Sequence, residues 1–122
     1  MANPNIVNVT TITGNTSGNL LFTTANTILT NASSSSLVMK VDSIVVTNVS
    51  ANAANISVSW NNAAAGGGTP FYLANNISVP SQASLIVTDK TTAFYLPENT
   101  SVVALAGANN ALYSVITYES IS

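Results

Sequence analysis

Six side chains carry formal charge in this 122-residue chain: Lys40 and Lys90 against Asp42, Asp89, Glu98 and Glu119. There is no arginine, histidine or cysteine. Acid–base work by carboxylates needs two of them placed together with separated pKa values. The four acids are scattered instead: Asp42 in a strand pattern, Asp89 in a turn, Glu98 after Pro97, Glu119 near the end. They read as isolated, solvated carboxylates. Serine and threonine hydroxyls are plentiful, but a nucleophile needs an adjacent base. Lys40 or Lys90 would serve only if desolvated, and neither G-x-S-x-G nor S-x-x-K occurs. No D-x-D-x-D-G calcium loop is present, and without cysteine there are no disulfides, thiolates or zinc–thiolate sites. The expectation is a protein that is not an enzyme and uses no cofactor or metal. A secreted esterase-like activity is the most remote alternative.

Charge also bounds the partners. The net charge is −2, and two lysines cannot neutralise a run of phosphates or form a polybasic membrane patch. No segment approaches the ~20 apolar residues of a membrane span. The start, MANPNIVNVTTITGN, lacks the basic and apolar regions of a secretory signal. A protein made in the cytoplasm that binds neither nucleic acid nor membrane is expected. Only 5% of residues are charged while 47% are hydrophobic, against about a quarter charged in an average globular chain. Neutral Asn, Ser and Thr (17, 16 and 15 residues) must supply the polar surface. Contacts made by such a surface respond little to salt.

The elements that position these residues follow from period-two alternation of β-branched and aromatic residues. Strands are predicted at 6–12, 20–23, 27–30, 37–49, 55–60, 71–74 continuing into 77–79, 84–88, 94–96, 101–106 and 112–118. In the longest, Leu37, Met39, Val41, Val45 and Val49 share one parity and Ile44 and Val46 the other, which predicts burial on both faces over part of its length. Strands 37–49 and 55–60 flank a short polar turn and read as a hairpin. Asn61 to Thr69, NNAAAGGGT, reads as a flexible low-complexity loop. The prediction is a single domain over 1–122: an all-β, antiparallel, jelly-roll-like sandwich of about 8–10 short strands.

Aromatic residues are the main candidates for contact with a partner. Trp60 shares its face with Ile56 and Val58 and is assigned to the core. Tyr72, Tyr95 and Tyr118 each lie on the parity opposite a nearby apolar residue (Phe71, Leu96, Val115) and are assigned to an interface. Asn3, Pro4 and Asn5, within the N-terminal residues 1–5, could form an arm reaching a neighbour, or simply a frayed terminus. The final strand is apolar on both parities. It is either packed on both faces or packed on the core with its other face against another subunit. N-x-[ST] triplets occur at Asn8, Asn15, Asn31, Asn48, Asn55, Asn76 and Asn99. They read as a product of composition rather than as glycosylation sites.

Three segments carry a family resemblance: KVDSIVVTNVSANAANISVSW, NNISVPSQASLIVTDKTTAFYLPENTSVVALAGANN and the ending YSVITYESIS. Their order, with I-x-V-P-x-x-x-S-L leading into a strand and a Y-E-x-I-S terminus, resembles small structural proteins of tailed, marine and cyanophage-like phage particles. The resemblance covers roughly residues 37–122. It departs at Pro97-Glu98-Asn99-Thr100, where relatives often carry Gly-Asp. It implies a virion component: a capsid decoration or cement protein that binds the major capsid protein, with a homo-oligomer such as a trimer, assembled in the host cytoplasm. A tail or neck component, or a host-recognition or carbohydrate-binding module, is the alternative. The resemblance carries over no functional residue.

Overall fold

The computed structural model describes residues 10–122. Two antiparallel sheets face each other across the apolar side chains. The strands are β1 (Ile12–Leu20), β2 (Asn26–Asn31), β3 (Val38–Asn48), β4 (Ala54–Asn61), β5 (Pro70–Val79), β6 (Ser84–Thr88), β7 (Phe94–Leu96), β8 (Thr100–Ala106) and β9 (Leu112–Ile121). The first sheet runs β1-β9-β3-β6, with β7 pairing the same edge of β3 beyond β6. The second runs β2-β8-β4-β5. If β6 and β7 are counted as one interrupted strand, this is the eight-strand jelly-roll order. The interruption is a 3-10 turn, Lys90–Thr92. Asp89 caps it: its Oδ1 accepts from the Thr91 backbone N–H at 3.0 Å, while its own N–H donates to Thr92 Oγ1 at 3.1 Å. The sandwich agrees with the sequence prediction in class and strand number. The prediction of an N-terminal arm, and most of the strand expected at 6–12, lies outside the described residues.

Alternation builds the core as expected. Ile56 and Val58 of β4, Val102 and Ala104 of β8, and Leu112 and Ile116 of β9 are fully buried. Each Leu, Ile or Val buried this way contributes about 1.5–3 kcal/mol relative to exposure. In β3 the parity changes because the register against β9 shifts between Val41 and Ser43. Asp42 is the extra residue of this bulge, and one extra residue exchanges the two faces. Val41 points inward before it, and Ile44 and Val46 point inward after it. The strand is covered on both sides only at its start, where Val38, on the parity opposite Met39 and Val41, is also buried. It changes parity once, which turns Val45 outward.

Three other expectations are corrected. β3 and β4 do not form a hairpin; residues 49–53 carry the chain from one sheet to the other, and alternation alone cannot tell an arch from a hairpin. A single strand, β2, replaces the two expected at 20–23 and 27–30; Leu21 is buried but unpaired in a ladder, and Phe22 is 41% exposed. The loop 61–69 is pinned to the sheet surface. It contains a 3-10 turn, Ala64–Gly66, and its backbone donates to Asn99 Oδ1 from Ala64, to Thr30 Oγ1 from Ala65 and to Ser101 Oγ from Gly66. Gly66 has φ +77°, and a Cβ there would lie 2.7 Å from Thr27 Oγ1, so the turn needs glycine.

Two buried asparagines tie the sheets together. Asn31 of β2 donates to Leu96 O of β7 at 2.9 Å and to Leu37 O at 3.0 Å, while its Oδ1 accepts from Ser35. Asn48 of β3 donates to Val79 O of β5 at 2.9 Å and to Asn52 O at 2.8 Å. Its Oδ1 accepts from the N–H and the hydroxyl of Ser50. Both residues are 0% exposed. An amide carries two donors and an acceptor, so one side chain can satisfy carbonyls from two elements without burying a charge.

Candidate functional site

Three of the six charged residues meet on the first sheet, Lys40 standing opposite Glu119 across the β3–β9 ladder and beside Asp42. Among the described residues, no group of three or more His, Cys, Asp or Glu is placed to hold a metal ion. Lys40 and Asp42 approach to 3.9 Å at the surface, a contact worth about 0–1 kcal/mol. Bonds from the Thr91 side chain and backbone hold the Asp89 carboxyl below its ordinary value. Glu98 corrects the reading of four solvated acids. It is 9% exposed, and its Oε2 accepts the Ser36 N–H at 3.1 Å, which fixes the connection leading into β3. Beside it Asn99 takes φ +61° and accepts the Ala64 N–H. This asparagine fills a left-handed position of the turn, a conformation that asparagine tolerates better than most residues.

What the surface offers instead is uncharged and apolar. On the outer face of the first sheet, Val115 of β9 pairs with Val45 of β3, which pairs with Ile86 of β6. Val115 is 43% exposed and Ile86 60%. Across β1, Val115 meets Gly18, which has no side chain to cover it. Tyr113, in the next outward position of β9, is 44% exposed. The result is an apolar row across three strands. Of the two readings of the final strand, burial on both faces does not hold over its first half: β9 is central and its outer face is open at Tyr113 and Val115, closing only at Ile121. The second apolar surface is β5, at the rim of the second sheet, where Phe71, Tyr72, Leu73 and Ile77 are all more than 40% exposed.

The assigned tyrosines separate. Tyr72 (56%) and Tyr95 (47%) are exposed as expected. They lie on different sheets, Tyr72 opposite Ser59 and Tyr95 opposite Lys40, so they do not form one site. Tyr118 is corrected: it pairs with the buried Val41, is half-buried and packs against the core. Its parity is inward because it follows Ile116 by two positions. Asn3, Pro4 and Asn5 lie outside the described residues. Trp60 packs against the core as expected, with its ring 5.7 Å from that of Phe71. Sequence reasoning missed Val45 and Ile86. The first was hidden by the bulge, and the second lies in an apolar run, Leu85-Ile86-Val87, in which no polar residue marks the outer face.

A shallow depression of about 150 Å³ opens on the outer face of the second sheet. Ser57, Ser59 and Asn61 of β4 and Val103 and Leu105 of β8 form its floor, and Tyr72 stands at one wall. Asn61 donates to Gly66 O and Gly67 O and accepts from Ser59 Oγ, which seats the pinned loop as the opposite wall.

The two-sheet architecture is shared with a solved chain from Bacillus endospore appendages, which form a family of disulfide-linked pili. The TM-score is 0.56 at 12% identity, over 92% of this chain and 87% of that one. At that identity the likeness is one of fold. No protein-family model matches this chain, and no curated protein matches its sequence. Having no cysteine, these 122 residues offer no disulfide to an assembly.

Proposed function

We propose that this chain is a non-enzymatic structural subunit that works by docking, through uncharged surfaces, on copies of itself and on a larger particle. The observation that carries the reading is the open row Val115–Val45–Ile86 beside Tyr113. Apolar patches of this kind on soluble domains mark interaction surfaces. The row contains no charge, so bringing a second copy against it costs no like-charge repulsion or ion desolvation. β5 lies on the other sheet, and two unlike apolar surfaces on one subunit favour contacts to more than one neighbour. A fold shared with a pilus-associated chain is compatible with self-assembly. The sequence resemblance suggests the particle: a phage virion, with the major capsid protein as the surface decorated and a homo-oligomer as the decorating unit.

Light scattering coupled to size exclusion tests the docking row. The wild-type protein should be oligomeric, and Ile86→Asp combined with Val115→Asp should shift it to monomer with an unchanged sheet spectrum. A wild-type protein that stays monomeric at all concentrations would end the self-docking reading. Mass spectrometry of purified particles tests the setting: copies comparable to the major capsid protein support decoration, a few copies support a tail or neck position, and none removes the virion.

A further inference from the structure

We propose that the depression on the outer face of the second sheet is a binding site for one ring of a neutral sugar. The inference stands apart from the assembly reading, since a single subunit carries the whole site.

Three features of the depression point to this ligand. Its floor alternates hydroxyls with apolar side chains: Ser57 and Ser59 on β4 lie beside Leu105 and Val103 on β8, paired directly across the ladder. A pyranose presents the same alternation, with hydroxyls at its rim and C–H groups on its faces. The hydroxyls are also prepared for a ligand. Ser57 Oγ accepts the Asn76 N–H at 2.8 Å and keeps its own hydrogen to donate, while Ser59 Oγ donates to Asn61 at 2.7 Å and keeps its lone pairs to accept. Ser59 and Asn61 are about 95% buried, so their positions are set before any ligand arrives. Finally, Tyr72 stands at the wall with 56% of its surface exposed, an aromatic plate against which sugar C–H groups can pack.

Charge and size narrow the class further. No lysine, aspartate or glutamate lines the depression, so it offers nothing to a phosphate, a sialic acid or a basic peptide. The volume of about 150 Å³ corresponds to about five waters at liquid density, which suits one ring and not a whole oligosaccharide. Small ligands in such a shallow site bind with dissociation constants on the order of millimolar. Many subunits on one particle would multiply that affinity through avidity.

The test is a ¹⁵N-labelled amide spectrum of the purified protein titrated with methyl glucoside, methyl galactoside, methyl mannoside and N-acetylglucosamine, each taken to tens of millimolar (on the order of the expected constant). At least one should give saturable shifts confined to the amides of 57–61, 66–72 and 103–105. Tyr72→Ala should weaken binding about tenfold or more, while Tyr72→Phe, which keeps the plate, should retain it. Ala25→Trp, which plugs the exposed opposite side of the depression, should abolish it in a protein whose spectrum is otherwise unchanged. Ile86→Asp, on the other sheet, should leave binding intact even where it breaks assembly. No saturable shift with any of the four sugars, shifts located elsewhere, or binding indifferent to both Tyr72→Ala and Ala25→Trp would overturn the proposal.

Discussion

Asn48 is the most demanding residue in the fold, and its removal is the sharpest test of how the sandwich holds together. Its side chain is 0% exposed and takes part in four hydrogen bonds of 2.7–2.9 Å. The partners differ in what they lose with Asn48→Ala. Val79 is 1% exposed and lies opposite Ala54 in the β4–β5 ladder, so its carbonyl loses a buried amide donor at about 1.5 kcal/mol. Asn52 is exposed, and the Ser50 hydroxyl, released from Asn48, can turn its single hydrogen to that carbonyl at 2.7 Å, so that loss is small. The Ser50 groups are half-buried and recover water in part, which adds about 0.5–1 kcal/mol. The void left by the amide adds a comparable amount. The sum is about 3 kcal/mol, or a melting temperature lower by about 10 °C for a domain of this length. Scanning calorimetry and urea titration followed by far-ultraviolet circular dichroism would measure it at matched protein concentration. The control is Asn55→Ala, which removes one exposed bond to Asn76 at 3.1 Å and should change stability by less than about 0.5 kcal/mol. If Asn48→Ala proved as mild as Asn55→Ala, buried amides would not be what joins the two sheets.

Other perturbations test other parts of the structure. Gly66→Ala forces a Cβ to 2.7 Å from Thr27 Oγ1 at φ +77° and should cost about 1–2 kcal/mol from the backbone alone, with loss of protection at the amides of 64–66 in hydrogen exchange. Ser114 Oγ is buried with no hydrogen-bond partner among the described residues, so Ser114→Ala should be neutral or raise stability by up to about 1 kcal/mol; clear destabilisation in calorimetry would show that the hydroxyl is paired. The lowered pKa of Asp89 means that its carboxylate favours the fold above the ordinary value of 3.8 and loses that contribution as pH falls through the folded value. The stability gap between wild type and Asp89→Ala should therefore narrow on acidification below about pH 4, and a gap that widens would contradict the capping role.

The sequence was most legible where one face is wet and the other dry. β4 could be read from Ile56, Val58 and Trp60 alternating with Asn55, Ser57 and Ser59, and the class followed from several such strands at short spacing. β1 was not legible. Ile12-Thr-Gly-Asn-Thr-Ser-Gly-Asn-Leu20 has no apolar alternation, and its place comes from nine consecutive backbone partners on β9, a property of the neighbour rather than of its own residues. The reading of β3 failed at Asp42, because a bulge changes the parity of everything after it and leaves no mark in composition. The two asparagines that tie the sheets looked like ordinary N-x-[ST] triplets. Their role depends on burial at strand ends, which appears only once both sheets are in place. Of the contact surfaces, Tyr72 and Tyr95 were visible as aromatic residues out of phase with their strands, whereas Ile86 was indistinguishable from its half-buried neighbours Leu85 and Val87.

The chain contains one tryptophan, and it stands beside Phe71 on the rim strand β5. Indole emission shifts with local polarity, so this protein has a single built-in optical reporter at its most exposed apolar edge. A blue shift on mixing with a partner would place that partner at the rim. An unchanged spectrum during assembly would place the contact away from that rim, and no dye would be needed to tell the two apart.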